Sequence, residues 1–272
     1  MHILQAVACE IRGVPMKKIV VITLTVLVFL SAAFIGVANV YRADDVVLDA
    51  KMFSMEAKEE AGLIQEELEE LFAGESTLFV KEDLAKKVIA KYPYFRLTKF
   101  EKRYPNVIYV EATEDMEVFA AKVQERYCIL SENGTILNVR DDLNNRVDGN
   151  PNIVIEGSKP SGKMGETVNG AGFAELLKIC LVMSQKLNGI RSNIAKIEFD
   201  RVEDGGRIFL CMREGVKICL VHAHLLTEEK AVALTEAYVN MKPEERLTGF
   251  LHVTESLDKT QVIVKYQADL FE

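Results

Sequence analysis

Residues 19–38 read IVVITLTVLVFLSAAFIGVA, twenty residues without a charge. No other stretch limits so sharply what the chain can become. At about 1.5 Å of rise per residue, a helix of this length crosses a hydrocarbon core of about 30 Å. Its hydroxyls, on Thr23, Thr25 and Ser31, can bond carbonyls of the preceding turn and need not meet lipid unpaired. Lys17 and Lys18 stand directly before the run, whereas Arg42 is closely followed by Asp44 and Asp45. That asymmetry predicts a cytoplasmic N-terminus and a folded mass outside, the type II orientation. A cleaved signal peptide is the alternative, with Gly36 and Ala38 near a cleavage point, but such signals use an apolar core of about 7–15 residues. Met16 opens MKKIVVITL and offers a second start with the same topology. The expected layout is a tail at 1–18, a membrane helix at 19–40 and an exterior part beyond.

Charge is divided unevenly about that helix. The first 18 residues hold Arg12, Lys17 and Lys18 against Glu10, a net +2, so within the total of −8 the residues beyond them carry −10. An acidic exterior argues against nucleic acid, whose phosphates are met by Lys and Arg. Cys9 precedes the helix, and Cys128, Cys180, Cys211 and Cys219 follow it without a CxxC. Buried, apolar-like thiols are expected. Cys211 and Cys219 could flank a hairpin turn at Glu214-Gly215, where any pairing would depend on register.

Periodicity organises the exterior part. Residues 46–53 suit a first strand. Ala61, Ile64, Leu68 and Leu71 recur at three- and four-residue spacing within 56–73, opposite Glu66, Glu67, Glu69 and Glu70, which predicts an amphipathic helix. A shorter helix is expected over 81–91, carrying Leu84, Ala85, Val88 and Ile89 and ending before Pro93. Strands at 95–105 and 106–113 then meet at Tyr104-Pro105-Asn106. This order suits a three-stranded sheet with two helices on one face. Further on, 118–130 and 134–139 read as a strand pair turning at Asn133-Gly134, and 141–160 as a polar loop broken only by Asn152–Ile155. A helix over 171–187 and another over 228–239, with Ala231, Leu234 and Tyr238 inward, lie among strands at 194–200, 206–212, 216–222, 250–254 and 260–267. The predicted class is α+β, with a mostly antiparallel sheet after residue 116.

The residues that usually carry chemistry are scattered. His222 and His224 would share a face on a strand, but two ligands do not make a metal site. GSKPSGKMG (157–165) lacks the spacing of a phosphate loop, since Met164 follows Gly162-Lys163 where a hydroxyl belongs. No nucleophile elbow, zinc-protease helix or calcium loop occurs. The carboxylates of Glu66–Glu70 and Asp141-Asp142 read as solvated. No catalytic residue, cofactor or metal is therefore assigned.

One passage is diagnostic: KKVIAKYPYFRLTKFEKRYPNVIYVEATEDMEVFAAKVQERYCILSENGTIL, residues 86–136. Through Pro93, Arg103, Tyr104, Pro105, Val107, Ile108, Val110, Glu114, Ala120, Asn133, Gly134 and Ile136 it resembles the FtsQ/DivIB family of bacterial cell-division proteins. Pro151, Ile155 and Gly157 match a further family stretch loosely. The 46–53 segment lacks the usual glycine, and Cys128 stands where apolar residues are common. The resemblance implies a POTRA-like domain at 45–115 and an FtsQ-like β domain at 116–268. It also implies a non-catalytic scaffold at the division septum, whose partners are small single-pass coiled-coil division proteins met outside the membrane. Relatives are thought to capture a partner by strand addition through their last strands, here Gln261–Gln267, which makes Val262, Val264 and Tyr266 the candidate partner-binding residues. Two other readings stay open: a POTRA-type adaptor in another envelope assembly or secretion system, and a surface enzyme whose residues converge only in the fold.

Overall fold

A computed structural model describes residues 16–204, 206–255 and 262–268; Gln261 lies outside these. Helix α1 (Met16–Val40) contains the apolar run. Its Val20–Val37 window has a mean hydropathy of 2.7, is long and apolar enough to cross a membrane, and is not buried by the rest of the protein. Thr25 and Ser31 donate to the carbonyls of Val21 and Leu27 at 2.9 and 2.8 Å, as the sequence requires of hydroxyls in an apolar helix.

The first elements after α1 are β1 (Asp45–Lys51), α2 (Met55–Phe72), α3 (Glu82–Ile89), β2 (Phe95–Arg103) and β3 (Val107–Glu114). Strand β3 is central, parallel to β1 and antiparallel to β2. Ser54 caps α2 by accepting from Ala57 N at 3.1 Å, satisfying one of the open amides of the first turn. Ala57, Ala61, Ile64, Leu68 and Phe72 of α2 and Ala85, Val88 and Ile89 of α3 share one core with Ile108, Val110 and Ala112 of β3. The two-residue alternation of β3 is complete along its length.

A second core lies on a nine-stranded sheet. It comprises β4 (Glu117–Val123), β5 (Arg126–Ser131), β6 (Ile136–Arg140), β7 (Ile153–Glu156), β8 (Ile194–Asp200), β9 (Arg207–Met212), β10 (Lys217–Val221), β11 (Phe250–Glu255) and β12 (Val262–Gln267), in the order β12-β11-β10-β9-β8-β7-β4-β5-β6. Helices α4 (Phe173–Lys186) and α5 (Glu228–Asn240) supply Phe173, Leu176, Cys180, Met183, Leu234 and Tyr238 to that core. On the opposite face, Lys196 bridges Glu156 and Glu198 at 3.2 and 2.7 Å, and Lys217 reaches Glu198 at 3.6 Å. The protein is thus α+β. Most neighbouring strands are antiparallel, with β4–β7, β7–β8 and β10–β11 parallel.

Two expectations are corrected. Residues 118–130 are not one strand: Gln124, at φ 55°, turns the chain back between β4 and β5. Glutamine seldom takes that conformation, so nothing in the residue types announced the turn. The brief apolar stretch at 152–155, expected inside a loop, is β7, paired on both sides in the middle of the sheet. A central parallel strand can be short, and its apolar run Ile153–Ile155 carries no alternation of residue type to betray it.

Candidate partner interface and its charged junction

The alternation of β3 carries Ile108, Val110 and Ala112 inward, and the same parity forces Glu114 inward too. Glu114 is 2% exposed. An unpaired carboxylate there would be prohibitively costly, and the chain surrounds it with donors. Phe53 N and Ser54 N donate at 2.5 and 2.9 Å, the Ser54 hydroxyl at 2.6 Å, and Arg146 at 2.7 Å. Burial is the largest influence on this carboxyl and works to raise its pKa. The Ser54, Phe53 and Arg146 bonds together outweigh it and hold the group below the usual carboxylate range.

Three residues on, Glu117 opens β4 and is 1% exposed. Arg140 of β6 grips it through two nitrogens at 2.9 and 2.8 Å. The Tyr94 hydroxyl donates at 2.7 Å, Asn152 Nδ2 at 3.1 Å and Arg146 N at 3.2 Å. Asn145 ties the same place together, donating to the Glu117 carbonyl at 2.7 Å and to Asn152 Oδ1 at 3.0 Å. Arg146 completes the junction: its guanidinium lies 3.5 Å from the Tyr94 ring centre and reaches Glu60 of α2 at 3.3 Å. The polar loop at 141–152 is therefore a clasp between the two sheets. Asp115 stands beside it, 3.3 Å from Arg96, with its pKa raised, chiefly by burial. Burial also raises the Tyr94 hydroxyl, helped by its bond to Glu117.

Chemically, this cluster is spent on itself. The Glu114 and Glu117 oxygens are occupied by guanidinium, amide and hydroxyl donors, which suits holding two parts together better than taking a proton from a substrate. A cavity of about 340 Å³ lined by Phe53, Arg96, Asp115, Met116 and Arg191 adjoins it. His222 and His224 do not share a strand; both lie in the turn after β10, with rings 6.1 Å apart. Among the described residues no group of three or more His, Cys, Asp or Glu is placed to hold a metal ion. Cys211 pairs across the sheet with Lys217, and Cys219 with Phe209, so these two thiols are not cross-strand partners; both are free.

The candidate residues Val262, Val264 and Tyr266 lie on β12, whose only strand neighbour among the described residues is β11. Val264, opposite Val253, packs against the large core. The Tyr266 ring lies over Gly249, where a Cβ would come within 2.7 Å of it, and its hydroxyl donates to Thr248 O at 3.3 Å. Val264 is thus turned toward the sheet's core, while Tyr266, 39% exposed, lies over the turn at Gly249. Ile263 and Lys265 lie on the other, exposed face. The opposite edge of the sheet is treated differently. The 161–169 loop, which overlaps the GSKPSGKMG stretch at 157–165, covers the start of β6: Ile136 N bonds Glu166 O at 2.9 Å and Gly165 N bonds Ile136 O at 2.8 Å.

No protein-family model matches the chain, and neither does any curated protein. Sequence reading brought out β12 but missed the junction, although the parity of β3 pointed to a buried Glu114. The partners of Glu117 could not be found by spacing, because Arg140 and Asn152 lie 23 and 35 residues away.

Proposed function

We propose that this chain is a non-catalytic, membrane-anchored scaffold of the bacterial division machinery, of the FtsQ/DivIB type, with a POTRA-like unit leading into a β-rich region. The observation that carries this reading is the end of the nine-stranded sheet at β12, joined to the family-like passage at 86–136. An edge strand anchored to its own sheet through Val264 still offers main-chain groups to an incoming strand. The clasp supports the same reading, since a scaffold has to hold its binding edge at a fixed place relative to its anchor. The partners it would take are small single-pass coiled-coil division proteins, met on the outer side of the membrane.

An N-terminal fluorescent fusion, followed through one division cycle, tests the role. A band at midcell before constriction is the expected outcome. Uniform envelope fluorescence from an intact, functional fusion would reject it in favour of a POTRA-type adaptor in another envelope assembly or secretion system. A photo-crosslinking residue at Lys265 should then capture a single-pass membrane protein at midcell.

A further inference from the structure

The exit of α1 is bonded directly to the exterior fold. The helix continues through Tyr41, whose N–H donates to Val37 O at 3.1 Å, and the Tyr41 carbonyl accepts from Thr77 N at 2.7 Å. Thr77 is fully buried. Its hydroxyl donates to Pro105 O at 2.6 Å and lies 3.0 Å from Tyr41 O. Two turns, at 76–79 and 104–106, are thereby fixed beside the helix end. Lys102 Nζ, donating to Leu78 O at 3.0 Å, ties them a second time. Tyr41 is about 6 Å of helix rise beyond the apolar window.

The tips of these turns carry apolar side chains into solvent. Phe79 is 75% exposed, Tyr104 58% and Leu78 38%, although Val80 next door is buried. The Tyr41 and Tyr104 rings meet edge to face with centres 5.9 Å apart. Single exposed apolar residues need no explanation. Three on two adjoining tips, held by buried bonds beside the end of an apolar helix, form a group placed where the headgroup region of a bilayer would lie. Aromatic rings are favoured there because they present an apolar body and a polar rim to a graded medium. Nearby charges are of both signs: Arg42 packs on Gly74, Lys102 is committed to Leu78 O, and Asp44 accepts from Asn106 at 2.9 Å.

The geometry points to a lipid-facing foot made of Leu78, Phe79 and Tyr104, which rests in the phospholipid interface and fixes the tilt of the exterior part on the membrane. The inference rests on reading α1 as a membrane span. Its occupant is the outer headgroup layer, engaged by apolar and aromatic contact and not by charge. Neutral phosphatidylcholine should therefore serve as well as anionic lipid, with little dependence on salt.

The chain contains no tryptophan, so a single introduced one reports alone. Full-length protein carrying Phe79→Trp or Tyr104→Trp is reconstituted in phosphatidylcholine vesicles, with Met55→Trp as the comparison. Met55 is also highly exposed but lies beyond the far end of β1. The expected result is blue-shifted emission from the two foot variants, strong quenching by lipids brominated just below the headgroup, and severalfold weaker quenching by aqueous acrylamide than for Met55→Trp. Adding Leu78→Ser and Phe79→Ser to Tyr104→Trp should weaken lipid quenching while the circular dichroism spectrum holds. Flotation with the vesicles but equal acrylamide access at all three sites would overturn the foot and leave the anchor standing. Failure to float would overturn both.

Discussion

The clasp at Glu114 and Glu117 and the edge strand β12 are built on opposite terms. At the clasp, two buried carboxylates, two arginines, two asparagines, a tyrosine and a capping serine hold one another. The two carboxylates are its hubs, and losing either leaves several buried donors short of an acceptor. Strand β12 has one strand neighbour among the described residues; Val264 anchors it by packing and the exposed Tyr266 by its bond to Thr248 O. A polar network in a dry place specifies geometry, because its members are satisfied in one arrangement only. A peripheral strand held by a few apolar contacts is easier to open and to extend. The contrast fits a molecule that is stiff between its parts and accessible at its end.

The largest effect should follow from Glu117→Ala. It would take from Arg140 its buried carboxylate, leaving it the Asn144 carbonyl and Asp142, and would remove the acceptor of the Tyr94 hydroxyl and the Asn152 amide; removing one partner of a buried ion pair costs about 3–5 kcal/mol. Urea unfolding of the detergent-solubilised protein, followed by far-ultraviolet circular dichroism, should show a clearly lower midpoint. Glu117→Gln keeps the shape and some of the bonds and should lose less. A midpoint unchanged by the alanine variant would mean that the clasp is ornamental to stability, and the contrast with β12 would collapse.

How much of this could be read beforehand depends on the range of the interaction. Elements whose signal is periodic and local came through nearly residue by residue: α2 from its Ala61–Ile64–Leu68 stripe, and the turn at Asn133-Gly134, where Gly134 takes φ 80°. The hairpin at Gln124 did not, because its backbone conformation is imposed by the pairing of β4 with β5 and not by a permissive residue. Strand β7 did not either, since three apolar residues inside a polar stretch acquire meaning only from the two strands that flank them. The position of β12 at the end of the sheet is likewise a property of the whole topology. Of the candidate site, the apolar alternation of 262–267 was legible. That Val264 faces the core and Lys265 the solvent was not.

A smaller effect should separate the two faces of β12. Val264→Asp places a charge against the large core and is expected to cost about 2 kcal/mol, through lost apolar burial and carboxylate desolvation. Lys265→Asp, on the exposed face, should stay within about 0.5 kcal/mol of the parent. Amide hydrogen exchange sharpens the comparison. β12 should exchange much faster than β7 in the parent, and Val264→Asp should accelerate β12 alone. Acceleration spreading to β4 and the clasp would show that edge and junction form one cooperative unit.

The smallest expected effect is the response of the clasp to acid, where two neighbouring carboxylates pull in opposite directions. Asp115 has its pKa raised, mainly by burial and despite Arg96. It penalises the folded state when charged, and that penalty is relieved as pH falls through its folded value. Glu114 has its pKa lowered by its donors, Ser54, Phe53 and Arg146, despite burial. The stability it contributes is present above the unfolded value of about 4.3 and is lost as pH falls through the lower folded value. Between neutrality and about pH 4.3 the melting temperature should therefore hold level or rise slightly, then fall below it. Asp115→Asn should remove the rise and keep the fall. Glu114→Gln should start from a lower melting temperature and fall less steeply in acid. If Glu114→Gln retained the full acid-induced fall, the loss would have to come from carboxylates elsewhere, and the clasp would not be where acid first loosens the two sheets.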